Sequence, residues 1–175
     1  MLNKPEIRYS FIYGLLGGFC CFLFLIFLQN MLNINPLGGK KETGIVFLII
    51  AMILAVRTVR QKNGGAIDFK VGYGICFLTT IIASLTSVAL LFVFLEYISI
   101  NCLAEYVETT TKDLLKNRDQ IIKNGIAEMA YNDALANIKI TNVKSILMDD
   151  FIKKIFLSII PSLMISLYFR RRFIS

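Results

Sequence analysis

The chain predicts an all-α integral membrane protein: four transmembrane helices in a bundle, with an extracytoplasmic helical hairpin between helices 3 and 4. Three observations carry this. Four apolar stretches, Tyr9–Leu28, Leu37–Val56, Val71–Leu95 and Phe151–Phe169, each suffice for a hydrocarbon core of ~30 Å, which takes roughly 20 mainly apolar residues. Of 175 residues 56% are hydrophobic and the mean hydropathy is +0.66, above the roughly 45–50% apolar content of soluble domains. The one long polar stretch, 101–148, carries its charges at helical spacing. A single membrane domain over 1–175 follows, with helices at about 9–30, 37–58, 69–98 and 149–170 and the insertion at 101–148.

The first stretch follows Lys4 and Arg8, as a signal peptide would. Its apolar core is too long, and no small-x-small cleavage site follows at Gln29–Asn30–Met31. Bulky Phe19 before Cys20 argues against lipoprotein cleavage, so the segment reads as a retained helix. A polar turn, Gln29–Asn35 with Pro36, Gly38 and Gly39, leads to the second stretch, since proline and glycine disfavour a continuing helix. Helices two and three are joined through Gln61–Gly65. Gly64 and Gly65 permit a tight reversal at positive φ. Asp68 is placed to cap the third helix, and an ion pair with Arg57 or Arg60 across the turn is expected.

In the insertion, Glu108 precedes Lys112, and Asp119 precedes Lys123, by four residues. Val107, Leu114 and Ile121, with Leu115 and Ile122 beside them, form one apolar stripe. Asn124–Gly125 reads as a helix stop, a second helix as Ile126–Ala136. Asn142 starts a third, which runs into the last membrane segment through the Asp149/Lys153 and Asp150/Lys154 spacings. No stretch carries a charge deep inside except the paired Lys153 and Lys154 near one end of the last. Pro161 is expected to kink the last helix by freeing the carbonyl of Leu157.

Basic residues sort by side. Lys4 and Arg8, the loop residues Arg57, Arg60, Lys62 and Lys70, and the tail Arg170–Arg172 are opposed only by Glu6 and Asp68. Lys and Arg in short loops mark the cytoplasmic side, so both termini and the 57–70 loop are placed there. Tyr9, Tyr13, Tyr73 and Tyr168 fall near the same interface, with Tyr97 at the opposite one. The net charge of +7 therefore reads as topology and headgroup contact, not nucleic-acid binding.

Small residues recur four apart in every span: Ser10, Gly14 and Gly18; Ala51 and Ala55; Gly72, Cys76, Thr80 and Ser84; Ser158, Ser162 and Ser166. Such seams let helices approach closely in lipid. Packing within one bundle is the favoured reading; the alternative is a homo-oligomer formed through Gly14 and Gly18. Thr79, Thr80, Ser84, Thr86 and Ser87 give the third helix a hydroxylated face, which bonds back to its own helix as readily as it lines a pore.

Nothing points to chemistry. The chain has no histidine and no C-x-x-C; Cys20, Cys21 and Cys76 lie in apolar runs, where a thiol is a small hydrophobe. The extramembrane carboxylates track nearby lysines rather than one another, and no nucleophile, phosphate-loop or zinc motif is present. No catalytic residue, metal or cofactor is expected.

The run Val56–Lys62, with its Arg57-x-x-Arg60 element, then Gly64-Gly65-Ala66-Ile67-Asp68-Phe69 and Gly72–Gly74, resembles a domain-of-unknown-function family of small membrane proteins common in Bacteroidota. The resemblance extends over nearly the whole plan of helices, though only the inner turn is specific. It implies a four-helix protein of the bacterial cytoplasmic (inner) membrane. It carries over no ligand, activity or catalytic residue.

The leading expectation is a non-enzymatic accessory or scaffold subunit. Its partners are membrane lipid, another membrane protein, and an extracytoplasmic protein met by Val107, Leu114 and Ile121, since an exposed apolar face calls for a cover. That stripe can also be covered by the second helix of the hairpin. The alternative is a small oligomeric channel or transporter with helix three lining the path. Arg57, Arg60, Gly64, Gly65 and Asp68 are read as structural parts of the inner turn.

Overall fold

The computed structural model describes residues 3–32, 35–99, 101–123 and 127–170. It is all-helical, and four helices are long and apolar enough to cross a membrane: Lys4–Met31, Glu42–Lys62, Phe69–Ile98 and Val143–Phe169. The elements are α1 (Lys4–Leu32), a 3-10 segment (Gly39–Gly44), α2 (Ile45–Lys62), α3 (Phe69–Val93) ending in a π turn (Phe94–Ile98), α4 (Cys102–Lys116), α5 (Arg118–Lys123), α6 (Glu128–Lys139) and α7 (Val143–Phe169).

α1 starts before its apolar run because Glu6 Oε2 accepts the Asn3 N–H at 2.6 Å, satisfying a donor the helix leaves free. The second helix begins at Ile45 rather than near Leu37. Pro36 and the glycines at 38, 39 and 44 weaken helix in between, and Leu37 is drawn into the core at 3% exposure. Asn35 ties that connection down: its Oδ1 accepts from Leu37 N–H at 3.0 Å and its Nδ2 donates to the Cys102 carbonyl at 3.0 Å. α7 begins well before the apolar stretch, on a reciprocal capping box in which Asn142 Oδ1 accepts from Ser145 N–H at 2.9 Å and Ser145 Oγ accepts from Asn142 N–H at 3.1 Å. It continues through Pro161 without a break in the helix.

α3 packs on α1, α7 and α2, and α2 also packs on α1 and α7. Two apolar cores result. One, around Leu48, Met52, Val56, Val59, Ile67 and Ile75, extends to the α2–α3 turn. The other, around Phe22, Leu25, Leu37, Leu91, Cys102 and Ile146, sits at the end where the insertion leaves. Gly64 and Gly65 adopt φ of +70° and +87°, the conformation that lets the α2–α3 turn reverse tightly.

Two details of the expected turn differ. Asp68 occupies the N-cap position with extended backbone, but its side chain makes no cap hydrogen bond. The arginine–Asp68 ion pair is not formed among the described residues: Arg60 Nε donates to the Gly65 carbonyl at 2.9 Å and its guanidinium lies 5.6 Å from the Phe169 ring. Backbone and aromatic partners outcompete an exposed carboxylate, whose ion pair is worth little in water. In the insertion, α6 lies on α4; Tyr131, 4% exposed, donates to the Leu114 carbonyl at 3.2 Å. The Asn124–Gly125 stop lies outside the described residues.

Candidate functional site: a buried ion pair between α3 and α7

Four charged residues of α7, Asp149, Asp150, Lys153 and Lys154, form two acid–base pairs four apart. Neighbouring residues on a helix point about 100° apart, so the two pairs cannot share a direction. The structure sends one outward and one inward. Lys153 Nζ lies 3.1 Å from Asp149 and 3.2 Å from Glu42 of the 3-10 segment, all three side chains nearly half exposed. Lys154 Nζ lies 2.6 Å from Asp150 Oδ2, with side-chain exposures of 10% and 6%. It also donates to Ser87 Oγ of α3 at 2.6 Å.

The difference in burial decides the energetics. An exposed pair contributes about 0–1 kcal/mol, whereas removing one partner of a buried pair costs about 3–5 kcal/mol because the other charge is stranded. Lys154 stands about 16 Å along α7 from Val143, by helical rise.

Below the pair runs a column of buried hydroxyls, with Thr80, Ser84 and Ser87 on α3 and Ser158, Ser162 and Ser166 on α7. Thr80 and Ser162 both donate to Met52 Sδ, at 3.4 and 3.3 Å. Ser158 and Ser166 donate to carbonyls of their own helix, as buried serines in helices often do. Ser84 differs: its Oγ is fully buried and has no hydrogen-bond partner among the described residues. A small gap of about 10 Å³, lined by Glu42, Ile45, Asp150, Lys153, Lys154 and Leu157, separates the buried pair from the exposed one. Asp149 in turn lines a cleft of about 430 Å³ with Tyr106, Asn137, Thr141, Asn142 and Ser145.

The residues singled out from sequence are not brought together. Gly14 and Gly18 are buried against α3: a Cβ on Gly14 would lie 2.7 Å from Ile82 Cβ, and one on Gly18 would lie 2.5 Å from the Ala83 carbonyl oxygen. Gly17, which the four-residue spacing passed over, faces α2 instead, with Ala51 Cβ 2.7 Å from its would-be Cβ. Val107, Leu114 and Ile121 are half-buried. Arg57 and Asp68 are exposed at the opposite end of the spans, around the Gly64–Gly65 turn. The Asp150–Lys154–Ser87 cluster was missed as a site. Its signal was present in the doubled i, i+4 register of α7, which keeps the two pairs from sharing a direction, and in the hydroxyls of α3.

An all-helical chain with four apolar helices fits a multi-pass membrane protein. Residues 9–171 match the family model described as "Protein of unknown function (DUF4199)", and the chain belongs to that family. No curated protein and no solved structure matches the chain.

Proposed function

We propose that this is a non-enzymatic accessory or scaffold subunit of the bacterial cytoplasmic membrane. In this reading the four long helices form one bundle. Both termini and the 57–70 loop are cytoplasmic, and the α4–α6 excursion is an extracytoplasmic hairpin that meets a protein partner. The positions of Lys62, 4.8 Å from the Tyr9 ring, and of Arg60 beside Phe169 suit an interfacial belt of cations and aromatics at the cytoplasmic end.

One observation carries the partner: outside or at the edge of the spans, Leu115, Met129, Ile140 and Met148 are 57%, 77%, 73% and 54% exposed. Apolar side chains displayed to water on short helices favour a covering protein, and these residues replace the stripe that α6 already half covers. A photo-crosslinker at Met129 or Ile140 is expected to trap a discrete heterologous adduct in native membranes, and one at exposed Lys112 is not. Adducts confined to the chain itself would remove the partner. A reporter fused at the C-terminus is expected to read as cytoplasmic.

The second reading, a small oligomeric channel or transporter, is favoured by the buried Asp150–Lys154 pair, because ionisable groups inside membrane helices commonly mark ion or proton paths. Solute or ion flux in liposomes carrying the purified protein would rank it first.

A further inference from the structure

The Lys154 ammonium has three N–H donors. Asp150 and Ser87 take two of them. A donor left over on a buried charge is a costly pairing failure unless water meets it. On the other side of the pair, the gap between Glu42, Ile45, Lys153 and Leu157 has about 10 Å³, close to what one water centre needs when two to four polar groups surround it. Four such groups line it.

We propose that Asp150, Lys154 and Ser87 form a hydrated proton-exchange site, reached from the insertion side past Glu42 and Lys153. Lys154 transfers a proton to Asp150: an N–H bond breaks, an O–H bond forms, and the ion pair becomes a neutral amine beside a neutral acid. Asp150 then passes that proton through water in the gap to the Glu42 carboxylate, which releases it to bulk. A bulk proton returning by the same route restores the ammonium, so charge and atoms balance over the cycle.

The other charged or titratable groups around Lys154 are Asp149 and Lys153 on its own helix, Glu42 before α2 and the Cys21 thiol of α1, whose electrostatics both Lys154 and Asp150 affect. From α3 the contact is Ser87, which is neutral. The site stands whether or not the chain moves a solute across the membrane.

Infrared spectroscopy of the full chain in lipid nanodiscs, labelled at aspartate carboxyl carbons and transferred to heavy water, tests this. Asp150 is the buried aspartate; Asp68, Asp113, Asp119, Asp133 and Asp149 are exposed, so the hydrogen-bond donors around their carboxylates exchange at mixing. The slower carboxylate component therefore reports Asp150, and it is expected to disappear in Asp150→Asn if that variant folds. Its shift on deuteration is expected to go to completion while the transmembrane amides remain protonated. Glu42→Gln and Ile45→Phe, which leave the pair intact, are expected to slow that shift several-fold. A component that does not shift until the helix amides exchange would overturn the site in favour of a dry strut. Equal rates in wild type, Glu42→Gln and Ile45→Phe would also overturn it.

Discussion

The two faces of α3 solve the same problem in opposite ways. Toward α1 the contact is made by removing side chains: Gly14 and Gly18 bring backbone against Ile82, Ala83 and Thr86. Toward α7 it is made by adding polar ones: Ser87 to Lys154 and Asp150 at one end, and at the other Gly72 beside Ser166, where a Cβ would still find 3.6 Å of clearance. In lipid there is little hydrophobic drive to bring helices together, so close van der Waals contact and interhelical hydrogen bonds remain as the means. The first face uses contact and tolerates no added volume. The second uses hydrogen bonds and charge, which tolerate volume but not the loss of a partner.

The sharpest break of that contrast is Gly18→Leu. Its Cβ alone would meet a backbone oxygen that cannot rotate away, so a loss of roughly 3 kcal/mol or more is expected, at or beyond the usual overpacking range. Reversible unfolding in mixed micelles measures it, and a cost below that of Gly72→Leu would show that the α1 face is not the tighter one. Next comes Lys154→Met, expected to cost about 3–5 kcal/mol by stranding Asp150. The double variant Lys154→Met/Asp150→Leu should recover most of the loss; a double variant as unstable as the single one would mean that the pair does more than neutralise itself.

Smaller is Tyr131→Phe, which removes the bond to the Leu114 carbonyl and is expected to cost about 1 kcal/mol. The effect should appear as faster amide exchange in α4 and α6 with the transmembrane amides unchanged. Smallest is acidification of the insertion. The Lys112 ammonium beside Glu108 holds its carboxyl below the ordinary carboxylate range. That contribution is present above the unfolded value and fades as pH falls through the lower folded one. Because Glu108 is exposed, only a slight loss of helical circular dichroism is expected, and Glu108→Gln should abolish its pH dependence.

The long spans were legible because apolar length is a one-dimensional property. The buried pair was not, and the reason lies in a few residues. Asp149, Asp150, Lys153 and Lys154 read as two equivalent pairs near a helix end, since spacing along one helix says which residues meet but not which way they face. Ser87 sits among five hydroxyls, any of which bonds equally well to its own helix. Gly17 was passed over because a four-residue seam through Gly14 and Gly18 describes one partner helix, and α1 has two. Asp68 was expected to cap because its type and position suit a cap, yet side-chain geometry left the bond unmade.

Composition and run length alone determined that this chain has four membrane-length helices and a polar helical excursion, because transfer of twenty apolar side chains into lipid depends on what they are, not on what they touch. Which of two lysines is buried, which glycine meets which helix, and whether the Val107–Ile121 stripe is free were decided only by tertiary structure. Those outcomes depend on the rotation of each helix about its axis, and that angle is set by the neighbouring helices together.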